Sequence, residues 1–183
     1  PVSRIADMLL NPNGAYDFNG QRRSYPDIRL VYWCGGNPFH HHQDLGRLSR
    51  AWQRPETIIV HDPWWTATAK RADIVFPATT QFEREDIGWA KGDPYLFHMP
   101  QMIPPVGQAR DDYEILTQLA ARLGCAETFA QGKSAEQWIV KAYDRFAENA
   151  RHDGIEIPSW EGLKSSNYVR LPIDVGQADQ VPF

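Results

Sequence analysis

Short apolar runs alternate with helical spacing through the first half of the chain. Residues 28–33, 57–60 and 74–76 are compact apolar runs of the kind that form buried strands. Between the first two, Leu45, Leu48 and Trp52 recur at helical spacing, which predicts a helix over 44–53, and a shorter helix is expected over 66–71. Strand–helix–strand–helix–strand order predicts parallel strands joined by right-handed crossovers. The expected fold class is therefore α/β, a parallel sheet flanked by helices in three layers. Upstream, residues 3–10 read as a short amphipathic helix with Ser3 as its N-cap, ended by Asn11-Pro12-Asn13-Gly14. Asn19-Gly20 between two short polar and aromatic arms predicts a β-hairpin excursion near the N-terminus.

Downstream the pattern changes. Residues 88–105 are rich in Pro, Gly and aromatics and read as an irregular excursion. Residues 111–123 predict a helix whose stripe is Ile115, Leu116, Leu119, Ala120 and Leu123, with Gly124 closing it and Asp111 and Glu114 spaced as a capping box. A second helix is expected over 134–149, capped by Ser134 with Gln137 and burying Trp138, Ile139, Ala142 and Phe146. After Gly154 periodic signals are few, so 150–183 is expected to be a poorly defined tail on a single domain spanning 1–183.

Composition narrows the function classes. A chain of 183 residues with 42% hydrophobic and 23% charged residues suits one globular domain at roughly 100–200 residues each. A net charge of -4 lacks the basic footprint of a nucleic-acid or acidic-membrane binder. No apolar run is long enough to span a bilayer. Seven Trp, four of them at Trp33, Trp52, Trp64 and Trp65, point to a core or an interface. Cys34 and Cys125 show no metal spacing and are read as thiols. No P-loop, zinc ribbon, EF-hand or hydrolase triad order is present.

Candidate chemistry gathers at the end of the first strand. There the chain runs into Gly35-Gly36-Asn37-Pro38 before a helix, the setting in which Rossmann-like sheets bind nucleotides. The motif is not GxGxxG, and a glycine-rich turn is also simply a turn. Asp62 ends the second strand, where it can accept from a ribose or base, or start the turn before Pro63. His40-His41-His42 cannot converge on one ion in an extended segment, so a histidine donating to a phosphate or polar ring is the better functional reading. Asp112 sits in a first helical turn, which its charge alone favours; it also suits the N1–H and amine of a guanine. The charge run Glu83-Arg84-Glu85-Asp86 reads as a solvated face. A nicotinamide-dependent dehydrogenase is a poorer match without GxGxxG, and a non-catalytic interaction module remains a third reading from the Trp density.

Together these stretches resemble a family. Tyr32-Trp33-Cys34-Gly35-Gly36-Asn37-Pro38-Phe39-His40-His41-His42-Gln43-Asp44 and Glu56-Thr57-Ile58-Ile59-Val60-His61-Asp62-Pro63-Trp64-Trp65-Thr66 are similar to the cofactor loops of the dimethyl sulfoxide reductase family of molybdenum enzymes. Ala72-Asp73-Ile74-Val75-Phe76-Pro77-Ala78-Thr79-Thr80 and Arg110-Asp111-Asp112-Tyr113 extend the likeness, which is dense to about Gly124 and closest to the biotin sulfoxide and trimethylamine N-oxide reductases. The resemblance implies a bis(molybdopterin guanine dinucleotide) molybdenum cofactor and a chain that is one cofactor-binding domain of a larger enzyme. Its partners would be a guanine dinucleotide arm and the parent's other domains, with no nucleic acid and no membrane. By matching position, Gly35, Gly36 and Asn37 would approach the pyrophosphate or pterin arm and His41 would donate to it. Val60, His61 and Asp62 would line the nucleoside, and Asp112 would hold the guanine. No catalytic side chain and no metal ligand are expected within this stretch.

Overall fold

The computed structural model describes residues 2–90 and 92–172. The chain divides into two compact units, Pro1–Ala78 and Thr79–Phe183.

In the first unit a 3-10 turn, Val2–Arg4, leads into α1, Ile5–Leu10. Ser3 is not its cap: it lies inside the 3-10 turn, and the helix begins behind Arg4 without a side-chain cap. The hairpin forms as expected from β1, Ala15–Phe18, and β2, Gln21–Ser24. Asn19 and Gly20 both take positive φ, 50° and 72°, the pairing a tight two-residue hairpin turn needs. The three apolar runs become β3, Leu30–Cys34, β4, Thr57–Asp62, and β5, Ile74–Pro77, in a parallel sheet of order β3-β4-β5. Between them lie α2, Pro38–His41, α3, Leu45–Ala51, and a 3-10 turn at Ala69–Arg71. Asp44 caps α3, accepting from the Arg47 N–H at 2.8 Å.

The two faces of this sheet differ. Val31, Trp33, Ile58, Val60 and Val75 point into a core closed by Ala6, Leu9, Leu48, Ala51 and Trp52. Register places Leu30, Tyr32, Ile59, His61, Ile74 and Phe76 on the opposite face. There Leu30 and Ile74 remain 53% and 43% exposed.

The second unit is built on an antiparallel sheet of β6, Asp86–Gly88, β7, Tyr95–Met99, and β8, Tyr168–Arg170. Both β6 and β7 overlap the stretch expected to be irregular. They pair with each other across a short connection, and β7 also pairs with β8, far away in sequence, of which local periodicity carries no sign. The helices are α4, Asp112–Arg122, α5, Ala126–Ala130, α6, Ala135–His152, and α7, Trp160–Ser166. Asp111 precedes α4 without a side-chain cap, so the expected box there does not form, and Leu123 is 71% exposed rather than part of the buried stripe. The Ser134–Gln137 box does form at α6. The inner face of α6 is Tyr143, Ala147 and Ala150 with Ile139 and Phe146 alongside; Ala142 is exposed. Tyr143, Leu96, Trp160 and Leu163 make the second core. The segment after Gly154 thus contributes α7 and β8; residues 173–183 of the expected tail lie outside the described residues.

Candidate functional site

Parallel pairing brings the ends of β3 and β4 side by side, Cys34 against His61. Gly35, Gly36 and Asn37 leave that edge from β3, and Pro63 onward leaves it from β4. Gly35 and Gly36 take φ of 74° and 72°, a region that L side chains rarely occupy. A side chain at Gly35 would meet nothing within 4 Å, and one at Gly36 would meet only His41 Nε2, at 3.9 Å. The turn therefore presents bare backbone to open space with an imidazole beside it. α2 is a single turn of four residues, and the helix expected over 44–53 follows it as α3. What the turn offers is its own amides and His41.

The two loops are tied together. The Thr68 hydroxyl donates to Asn37 Oδ1 at 2.6 Å, and the Phe39 N–H donates to Thr68 Oγ1 at 3.4 Å. Thr68 is fully buried and plays a part that no sequence motif announced. Arg71 lies over the Phe39 ring at 4.4 Å.

Asp62 is 8% exposed and its two oxygens both accept: Oδ1 from the Trp64 N–H at 3.0 Å, Oδ2 from the Thr66 hydroxyl at 2.6 Å. It starts the turn, as one of its two readings had it. The remaining lone pairs of a carboxylate leave room for a further donor. His61 is buried, its Nε2 hydrogen-bonded to the Tyr32 hydroxyl at 2.8 Å and its ring edge-on to Phe76. Val60 points to the other face and is fully buried in the core, so what it can offer at the edge is main chain.

Asp112 belongs to the second unit. It lines a cavity of about 270 Å³ with Arg84, Asp86, Asp111, Tyr113 and Trp138. Burial pushes the Asp111 carboxyl above its ordinary value, against the pull of the Arg84 guanidinium, while Asp112, Glu114 and Asp86 add repulsion. The Trp138 indole N–H donates to the Tyr113 hydroxyl at 3.0 Å, which fixes that wall.

The charge run beside it is not a solvated face. Glu83 is 5% exposed and accepts from the Thr80 hydroxyl and N–H, each at 2.7 Å, and from the Val106 N–H at 2.6 Å. Hydrogen bonds from the Thr80 hydroxyl, the Thr80 amide and the Val106 amide hold its carboxyl below the usual range. The Thr-x-x-Glu spacing of a capping box was the signal for it. Arg84 pairs with Asp86 at 2.9 Å, and Glu85 with His98 at 2.9 Å.

A three-stranded parallel sheet flanked by helices, with antiparallel hairpins beside it, defines the class as α/β. The chain belongs to the molybdopterin oxidoreductase family, whose model matches residues 12–122. It is 52% identical to the biotin sulfoxide reductase of Cereibacter sphaeroides, over 94% of this chain and 23% of that protein. It is 44% identical to the dimethyl sulfoxide/trimethylamine N-oxide reductase of Rhodobacter capsulatus, over 100% of this chain and 22% of that protein. With the trimethylamine-N-oxide reductase of Haemophilus influenzae the figures are 41%, 97% and 22%. The chain thus spans less than a quarter of the length of these relatives. The fold also matches acetylene hydratase from Pelobacter acetylenicus with a TM-score of 0.58 and 20% identity, over 81% of this chain and 19% of that one.

Proposed function

We propose that this chain holds one guanine dinucleotide arm of a bis(molybdopterin guanine dinucleotide) molybdenum cofactor in an enzyme that reduces S-oxides or N-oxides. The observation that carries this reading is the shared strand edge, where Gly35 and Gly36 expose unhindered backbone beside His41 while a hydrogen bond from the buried Thr68 to Asn37 holds the facing loop. That donor set, amides plus imidazole, suits an anionic pyrophosphate. Asn37 ties the turn to the facing loop, and in this reading Asp62, His61 and the main chain at Val60 line the nucleoside. Asp112 lines its own cavity in the second unit, and a carboxylate suits the N1–H and amine of guanine.

When bound, the molybdenum group supplies oxygen-atom transfer coupled to two-electron reduction of the substrate. The chain's own residues bind and orient the arm, and the parent's other domains are its remaining partners. The test is calorimetry on the full 183-residue chain with GDP and ADP. GDP binds more tightly than ADP, and Asp112→Asn weakens GDP by about tenfold or more, the scale of a charged hydrogen bond, with little effect on ADP. Equal affinities for the two nucleotides in wild type, or an Asp112→Asn variant that binds GDP normally, would remove guanine recognition from this chain.

A further inference from the structure

Trp64 and Trp65 leave the same sheet edge as the glycine turn and are 69% and 72% exposed. Two neighbouring indoles in water are an unfavourable use of the largest apolar side chain. Nor is the loop that carries them slack. Asp62 accepts from the Trp64 N–H and from the Thr66 hydroxyl, and Thr66 Oγ1 in turn accepts from the Ala69 N–H at 3.1 Å. The Thr66 N–H reaches the Trp64 carbonyl at 2.8 Å, and Thr68 closes the loop onto Asn37. The backbone is pinned at both ends of the pair, and the rings project from it.

The geometry points to Trp64 and Trp65 as a stacking platform for a planar heterocycle at this edge, an inference that rests on the nucleotide-arm reading above. The choice of occupant follows from what lies next to the indoles. Cys34 pairs with His61, so the chain that carries the indoles and the glycine turn leave paired strand ends of one edge, and there Gly35 and Gly36 offer bare backbone with the His41 imidazole beside Gly36. A hydrophobic polypeptide docking on the indoles would also cover those amides and leave them without acceptors. A ligand that carries a planar ring on an anionic linker satisfies both surfaces at once: the ring lies on indole, the phosphate on amides. Stacking on an aromatic face tolerates any base, because every base has a π-face. The platform therefore contributes affinity without choosing between guanine and adenine.

The experiment titrates the full chain with GDP and with ADP, by calorimetry and by tryptophan emission. Wild type is compared with Trp64→Ala, Trp65→Ala, the double Trp→Phe variant, and Trp89→Ala as a control at an exposed Trp of the second unit. The alanine variants lose about tenfold in affinity for both nucleotides, in the range of one base–aromatic contact. The double phenylalanine variant retains most of the affinity but loses the emission change, and Trp89→Ala binds as wild type. Circular dichroism and thermal melts stay unchanged in the Trp64 and Trp65 variants, because the replaced rings are exposed; Trp89 packs on Phe146 and donates to the Asp93 carbonyl, so its variant is compared by binding alone. Alanine variants that bind both nucleotides like wild type overturn the platform while leaving the nucleotide-arm reading intact; the indoles then face protein in the parent. Wild type that binds neither nucleotide overturns both.

Discussion

At the level of single residues, several polar side chains hold loops rather than face water. Asp62 carries both hydrogen bonds that shape the segment after β4. Its replacement by alanine strands the Trp64 N–H and the Thr66 hydroxyl in a poorly hydrated place, at a cost of about 1–3 kcal/mol. Urea denaturation measures it, and a loss below about 0.5 kcal/mol would mean the loop stands without its carboxylate. Glu83 gives a pH signature. Its folded-state carboxyl sits below the ordinary value because the Thr80 hydroxyl, Thr80 amide and Val106 amide all donate to the charged form. A depressed carboxylate stabilises the fold fully above its unfolded pKa and loses that contribution as pH falls through the folded one. Glu83→Gln therefore melts below wild type at neutral pH, and the gap closes as pH drops below about 4.3. A gap that widened in acid would contradict the assignment.

At the level of elements, two of the three N-caps expected from sequence have different fates, and they make a paired test. Ser134 accepts from the Gln137 N–H at 3.2 Å, and Gln137 Oε1 accepts from the Ser134 N–H at 2.9 Å. Ser134→Ala costs about 1 kcal/mol, whereas Ser3→Ala, at a residue that caps nothing, leaves stability unchanged; chemical denaturation of both variants decides it. The contrast shows what sequence carries. The hairpin, the three parallel strands and the long helix of the second unit are local: Asn19-Gly20, unbroken apolar runs and Ser-x-x-Gln each encode their element within a few residues. The β6–β7–β8 sheet is only partly local. Tyr95–Met99 pairs on one side with the nearby Asp86–Gly88 and on the other with Tyr168–Arg170, some seventy positions on. The buried face of α6 shows the same limit: spacing identified a stripe, but the partners Leu96, Trp160 and Leu163 select Tyr143 over Ala142. At the candidate site, the glycine turn and Asp62 were legible as strand-end residues. Thr68 was not, because its meaning lies in a hydrogen bond to a residue 31 positions away.

On the scale of the whole molecule, the parallel sheet of the first unit is finished on one face only. Val31, Trp33, Ile58, Val60 and Val75 are closed over by helices, while Leu30 and Ile74 stay exposed beside Tyr32, Ile59 and Phe76. All-parallel sheets are ordinarily covered on both faces, since their strands are apolar on both. A chain that spans 23% of a relative such as the Cereibacter sphaeroides reductase is expected to present surface that other parts of a longer protein would cover. In dilute solution that apolar face is tolerated; at high concentration a second copy is the available cover. Multi-angle light scattering therefore reads a mass near 21.0 kDa at low concentration and a rising mass as concentration increases. Placing charge on the face, with Leu30→Lys and Ile74→Lys together, suppresses the rise without lowering the melting temperature by much, because both side chains are already largely hydrated. A wild-type chain that stays at monomer mass throughout would show that water alone suffices for this face. An association that survives the double substitution would place the contact elsewhere, and Trp64 and Trp65 would be the next residues to change.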